Sequence, residues 1–124
     1  MKKLVTTPTD KLPLVSLDPE TGRFSFSGSS IPEDGIAFYK PIAEWLVQYA
    51  EKPAKITECS FKMKYFNSAS RKCLVDILKI LNSIKEKGHA IIYIWQYEDD
   101  DDEMLEMGEE YQAIIGNDFQ LKPY

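Results

Sequence analysis

The sequence of 124 residues lacks the motifs of several common enzyme classes. It has no P-loop, no GxGxxG fingerprint, no HExxH pair and no GxSxG nucleophile elbow. It has one histidine, and its two cysteines, Cys59 and Cys73, follow core-facing patterns without CxxC spacing. A general base or a nucleophile needs a partnering group, and the sequence identifies none. We therefore expect a protein that is not an enzyme and that uses no cofactor and no metal.

Long apolar runs are also missing. No stretch of about 18 apolar residues is present to form a transmembrane helix, and the basic start of the chain is not followed by the apolar core of a signal peptide. Two cysteines are too few for a disulfide framework. The composition, 44% hydrophobic and 28% charged, is typical of a globular protein. We expect one cytoplasmic domain over residues 1–124, with both thiols reduced.

Basic residues are scarce at one end of the chain. Residues 98–124 contain one lysine, Lys122, and ten acidic residues, whereas residues 1–97 contain 14 basic and 10 acidic residues. The basic residues are scattered and do not cluster beside aromatic residues, and the net charge is -5. These features disfavour binding to nucleic acids.

Hydrophobic periodicity predicts the secondary structure. Residues 12–17 and 23–28 alternate as a hairpin around Pro19 and Gly22. A helical stripe follows, and because Pro41 fits only the first turn, we expect this helix to begin near Tyr39 or Lys40. Later helices are predicted by two further apolar stripes, one over residues 73–84 and one over residues 104–115.

Three further strands are predicted. Residues 55–66 alternate, with one face consisting of Thr57, Cys59, Phe61, Met63 and Tyr65. Residues 89–97 are apolar on both faces, as in a central strand covered by helices on either side or by a helix and partner strands. A short edge strand over residues 119–122 ends the chain. The order ββαβαβαβ predicts a single-domain α/β fold, with helices packed against a mixed sheet.

The acidic run at residues 98–103 allows three interpretations. It can be a solvated loop in which Asp102 caps the following helix, a docking patch for a partner, or a divalent-cation site. The spacing does not match a calcium loop, because the sixth position has no glycine.

Hydroxyl groups mark the junction between the strand at 55–66 and the next helix. Ser68 and Ser70 lie where free backbone N–H groups and the helix dipole favour an anion. A phosphate at this point would add about -1.5 to -2 charges, and Arg71 and Lys72 are near enough to pair with it. Alternatively, both serines only cap the helix.

Five motifs together resemble the SiaC family of bacterial regulatory phosphoproteins: LDPETG at 17–22, GSSIPED at 28–34, FYKPI at 38–42 with Trp45 and Leu46, YFNSASRK at 65–72, and WQY at 95–97 with Glu109 and Glu110. The resemblance implies a non-enzymatic partner-switching protein. A Ser/Thr kinase would phosphorylate it and a PP2C-type phosphatase would reset it. The unphosphorylated form would bind and activate a diguanylate cyclase, and so control cyclic-di-GMP and biofilm formation.

The resemblance also indicates the modified residue. The family's phosphoacceptor is a threonine directly after the asparagine of the Tyr-Phe-Asn motif, and Ser68 occupies that position here, with Ser70 as a competitor. Ala69 and Arg71 replace hydroxyl residues that are usual in this segment. We expect the partner-binding residues to be the neighbours of Ser68: Tyr65, Asn67, Arg71 and Lys72.

The order of elements is also similar to that of STAS-type anti-sigma-factor antagonists, in which a phosphorylated serine begins the helix after the third strand. This similarity leaves an alternative, a constitutive STAS-like interaction scaffold or anti-sigma-factor antagonist without a cyclase partner. Such a scaffold would dock a basic partner through residues 99–102. Its binding would fall steeply with salt and would not respond to substitutions of Ser68.

Overall fold

The computed structural model describes residues 1–116 and 118–124, which form one six-stranded sheet and three helices. In chain order the elements are β1 (Leu4–Val5), β2 (Leu14–Leu17), β3 (Arg23–Ser30), α1 (Gly35–Glu51), β4 (Ile56–Phe66), α2 (Ser68–Glu86), β5 (Ala90–Tyr97), α3 (Asp102–Ile115) and β6 (Phe119–Pro123). The strands lie in the sheet in the same order. The pairs from β1 to β3 are antiparallel and those from β3 to β6 are parallel.

The predicted α/β fold with a mixed sheet is confirmed. The structure adds β1 before the predicted order, since a strand of two residues is too short to produce a periodic pattern. Gly22 has a φ of 74° and closes the predicted hairpin in the left-handed region. Among residues 1–116 and 118–124, no helix combines the length and the apolar composition that crossing a bilayer requires.

One face of the sheet carries the core. A cross-strand row of buried side chains runs through Leu17, Phe24, Cys59, Tyr93 and Phe119. The helices cover this face because successive parallel strands joined by right-handed crossovers place every connection on the same side. Helices therefore cover β5 on one side only, with β4 and β6 as its neighbours in the sheet, and the alternative of helices on both sides is wrong. Its outward residues, Ile92 and Ile94, are half-buried on the open face.

Helix α1 begins earlier than the sequence predicts. It starts at Gly35, and the Asp34 side chain caps it by accepting a hydrogen bond from the Ala37 backbone N–H at 3.0 Å. Pro41 therefore lies inside the helix, where its missing N–H leaves the Ala37 carbonyl without its usual partner. Both residues are exposed, so water can satisfy that carbonyl. The predicted start near Tyr39 or Lys40 is wrong for this reason.

A bulge in β4 reverses the expected direction of Tyr65. Gly28 of β3 pairs with Met63 and Ser29 pairs with Tyr65, so Lys64 is an extra residue in β4. As a result Phe66 is buried, whereas Tyr65 is 49% exposed. The prediction that Tyr65 shares the core face with Met63 is wrong. Bulges of this kind re-aim side chains near functional sites.

The two cysteines differ in burial. Cys59 is fully buried in the core, as predicted, and desolvation raises the pKa of its thiol far above the ordinary value. Tyr93 is also fully buried, and desolvation raises the pKa of its hydroxyl. Cys73 is half-buried, contrary to the expectation of a buried thiol, because it lies at the edge of the apolar stripe of α2.

We predict that the free energy of unfolding falls as the pH rises above about 8.5, where an unfolded cysteine begins to ionise. The folded state keeps Cys59 and Tyr93 neutral, so in this range it binds more protons than the unfolded state, and each group contributes a slope of up to about 1.4 kcal/mol per pH unit. Urea unfolding between pH 8 and 10.5 measures this slope. Cys59→Val should make the fall between about pH 8.5 and 10 shallower, because Cys73, whose thiol pKa is also raised by desolvation, is then the one cysteine that contributes there. A stability of the wild type that does not change over this range would contradict the prediction.

Helix α3 lies tightly against the sheet at Gly108. A Cβ atom added there would lie 2.5 Å from Cδ1 of Trp95 and 2.8 Å from Cδ2 of Leu121. The Trp95 indole N–H also donates a hydrogen bond to the Met104 carbonyl at 2.9 Å. The position of α3 therefore depends on a residue without a side chain over the Trp95 ring.

We predict that Gly108→Ala destabilises the protein by about 1–3 kcal/mol through overpacking, although alanine favours a helix by about 1 kcal/mol. Chemical denaturation measures the change. Ala113→Gly, at an exposed position of the same helix, measures the difference in helix propensity between alanine and glycine alone, with the opposite sign. A Gly108→Ala variant more stable than the wild type would show that this contact is not tight.

Candidate functional site

Two helices begin side by side at the carboxyl edge of the parallel strands. Helix α2 follows β4 and helix α3 follows β5, so the N-termini of both helices meet at this edge. A cavity of about 100 Å³ lies between them. We call it the Ser68 pocket, and it is lined by Lys64, Tyr65, Phe66, Ser68, Arg71, Asp101, Glu103, Met104 and Met107.

Asn67 is the only residue between β4 and α2, so the expected loop is reduced to one residue. Its side-chain oxygen accepts a hydrogen bond from the Ser70 backbone N–H at 2.9 Å, which caps α2. Its own backbone N–H donates to the Ser30 carbonyl at 3.0 Å. The half-buried Asn67 side chain therefore holds the junction together, and its predicted role in partner binding stays untested.

Ser70 is fully buried and belongs to a cluster with Ser30 and Tyr39, which we call the buried hydroxyl cluster. Ser70 Oγ donates to the Ser30 carbonyl at 3.1 Å and lies 2.8 Å from Ser30 Oγ, which is 2.6 Å from the Tyr39 hydroxyl. Every hydrogen is used if Tyr39 donates to Ser30 and Ser30 donates to Ser70. Desolvation raises the pKa of Tyr39, which keeps it a donor. The cluster joins α2 to β3 and α1.

Ser68 is the first residue of α2, and it is exposed. The two serines, which the sequence alone does not distinguish, therefore have different surroundings. Of the two serines, only Ser68 is exposed and lines the Ser68 pocket.

Charges of both signs line the Ser68 pocket. Lys64 and Arg71 are exposed on one side, and Arg71 lies in the first turn of α2, where the helix dipole disfavours a cation. Asp101 and Glu103 lie on the other side, at the start of α3. In the part of the chain that the structure describes, no ion pair joins these four side chains. An anion at Ser68 would therefore meet cations and carboxylates together.

The acidic run caps α3 one residue earlier than predicted. Asp101, not Asp102, is the N-cap, and its side chain accepts a hydrogen bond from the Met104 backbone N–H at 3.0 Å. Asp102 instead begins the helix, where its charge still favours the dipole. Within residues 1–116 and 118–124, no three histidine, cysteine or acidic side chains are arranged to hold a metal ion.

Tyr65 and Arg71 line the Ser68 pocket together with Ser68, as expected if the three residues form one site. Lys72 is exposed on the first turn of α2 but does not line the pocket. The sequence did not identify Lys64, Asp101 and Glu103 as part of this site. The predicted order of parallel strands could have indicated the acidic residues, because it places the starts of α2 and α3 next to each other.

The chain matches a known family and known structures. The sequence model described as SiaC family regulatory phosphoprotein matches residues 6–124. An uncharacterized protein of Pseudomonas aeruginosa (strain UCBPP-PA14) is 25% identical over 124 residues, which cover 100% of this chain and 98% of that protein. The family match confirms the resemblance seen in the sequence motifs.

Two solved structures have the same fold. The first, apo-SiaC from Pseudomonas aeruginosa, has a TM-score of 0.89 and 24% sequence identity, and the match covers 98% of this chain and 99% of that chain. The second is a complex of the diguanylate cyclase SiaD with its activator SiaC from the same organism. It has a TM-score of 0.91 and 23% identity, with the same coverage.

We predict that Ser70→Ala lowers the free energy of unfolding by about 1–2 kcal/mol, because it removes buried hydrogen bonds to Ser30. Ser68→Ala, two residues away on the exposed side, should change stability by less than about 0.5 kcal/mol. Urea unfolding of the two variants provides a matched comparison. An equal effect of both substitutions would show that the buried hydroxyl cluster does not anchor α2.

Proposed function

The chain belongs to the SiaC family of regulatory phosphoproteins, and on this premise we propose that it is a partner-switching protein controlled at Ser68. A Ser/Thr kinase phosphorylates the Ser68 hydroxyl and a PP2C-type phosphatase removes the phosphate. The unphosphorylated protein binds and activates a diguanylate cyclase in the cytoplasm, without catalysing a reaction of its own. The observation that carries this proposal is the exposure of Ser68 beside a buried Ser70.

Accessibility favours Ser68 over Ser70 as the acceptor. A kinase must bring the hydroxyl in line with the phosphate that it transfers. Ser68 can be reached without disturbing the fold, whereas Ser70 Oγ is held by Ser30 in the core. Phosphorylation of Ser70 would require the first turn of α2 to open and would bury a charge.

The partner is proposed from a relative. The SiaC of Pseudomonas aeruginosa forms a complex with the diguanylate cyclase SiaD, which it activates. This chain has the same fold over nearly its full length, which supports a cyclase as its partner too. The exposed side chains around Ser68 that are available for docking are Tyr65, Arg71 and Lys72.

Charge explains how the phosphate would prevent docking. It adds about -1.5 to -2 charges to a pocket in which two cations already face two carboxylates. Arg71 can pair with the phosphate, but the two carboxylates offset the two cations, so the phosphorylated pocket keeps a net negative charge. Burying such a charge in an interface costs several kcal/mol unless the partner supplies a cation.

We predict that Ser68→Asp weakens binding to the cognate diguanylate cyclase by about tenfold or more, equivalent to about 1.4 kcal/mol. Ser68→Ala should bind like the wild type, because it adds no charge. Ser25→Asp is a matched control, since it makes the same change at an exposed position on the open face of the sheet. Calorimetric titration of the cyclase with each variant measures the dissociation constants.

Equal binding by Ser68→Asp and Ser68→Ala would contradict the proposal. If the binding of both also fell steeply with salt, the interaction scaffold that docks through the acidic residues 99–102 would be the better account.

A further inference from the structure

We propose that a phosphate on Ser68 also acts within the chain, by repelling Asp101 and Glu103 and loosening the first turn of α3. This inference rests on the proposed phosphorylation of Ser68. It gives the acidic run, which the proposed docking surface does not use, a role in the same switch. The observation behind it is that Ser68 and these two carboxylates line one pocket.

The charges share one small pocket. Ser68, Asp101 and Glu103 all line a cavity of about 100 Å³, and charges interact with little screening within the Debye length, about 8 Å at physiological ionic strength. Lys64 and Arg71 balance Asp101 and Glu103 before modification. A phosphate of about -1.5 to -2 charges leaves the pocket with a net negative charge.

The first turn of α2 is not the part that yields. The buried hydroxyl cluster fixes it to β3 and α1, and Asn67 caps it. A phosphate on its first residue is also stabilised by the α2 dipole and by the nearby guanidinium of Arg71. Phosphorylation of Ser68 therefore stabilises the first turn of α2.

The N-cap of α3 has weaker support than the rest of its first turn. Met104 is buried, and its carbonyl accepts a hydrogen bond from the Trp95 indole N–H at 2.9 Å. Glu103 is exposed, and the turn is closed by two hydrogen bonds to Asp101, from the backbone N–H groups of Met104 and Leu105. The later part of the helix is held at Gly108, which packs closely on Trp95, and by the Tyr111 hydroxyl, 3.4 Å from the Arg71 carbonyl. The repulsion should therefore displace Asp101 and Glu103 and break the two bonds to Asp101, while Met104 and the rest of α3 stay in place.

The test compares the full-length protein with and without phosphoserine installed at position 68 by genetic code expansion, so no kinase is needed. Amide hydrogen exchange measured by NMR should become about tenfold faster at Met104 and Leu105. The Arg71 and Gly116 amides, which are bonded to Asn67 and Gln112, should not exchange faster. Unchanged exchange at Met104 and Leu105 would overturn the inference.

Neutralising variants test the electrostatic cause. In the phosphorylated protein, Glu103→Gln should restore slow exchange at Met104 and Leu105, because it removes one of the repelled carboxylates. Glu106→Gln, an exposed acidic position on α3 outside the pocket, should not restore it. Fast exchange that persists in Glu103→Gln, or an equal effect of both variants, would overturn the inference.

Cyclase binding by the same phosphorylated protein separates the two proposals. Loss of binding without faster exchange at α3 would overturn this inference and leave the proposed function intact. Faster exchange that Glu103→Gln reverses, with cyclase binding retained, would support this inference and contradict the proposed function.

Discussion

The geometry of the site depends on the buried hydrogen bonds between Ser70, Ser30 and Tyr39. These bonds fix the rotation of α2 about its axis by holding Ser70 against the core. Residues two positions apart on an α-helix point in directions that differ by roughly 200°. Once Ser70 faces inward, Ser68 must face outward. A buried hydroxyl that is not itself modified thus determines that the neighbouring one is accessible.

The sheet supplies the surroundings of Ser68. The bulge at Lys64 turns Tyr65 to the surface one residue before Phe66 enters the core. Parallel pairing of β4 with β5 then places the start of α3 beside the start of α2. The acceptor, its cations and the opposing carboxylates come from segments some thirty residues apart, yet they line one small pocket. Because the charges in that pocket are balanced, a single phosphate makes its net charge negative.

Most of the fold could be predicted from the sequence, because alternation and helical periodicity are strong signals in β3, β4 and α2. Local chemistry also indicated Ser68 and its anion-favouring position. The direction of Tyr65 could not be predicted, since an extra residue in β4 is invisible to a period of two. The burial of Ser70 and the presence of Glu103 in the Ser68 pocket depend on contacts between elements distant in sequence. The sequence predicts the start of α1 too late. Pro41 is tolerated inside the helix, because the exposed Ala37 carbonyl that it leaves unpaired can bond to water.

The central claim is that the chain accepts one phosphate and that Ser68 is the residue that carries it. Intact-mass spectrometry with phosphopeptide mapping of the protein from its native cells, across growth conditions, tests this claim most directly. The account predicts a singly phosphorylated species whose phosphate maps to Ser68 and is absent from a Ser68→Ala strain. A phosphate on Ser70, or no phosphorylated species under any condition, would contradict it.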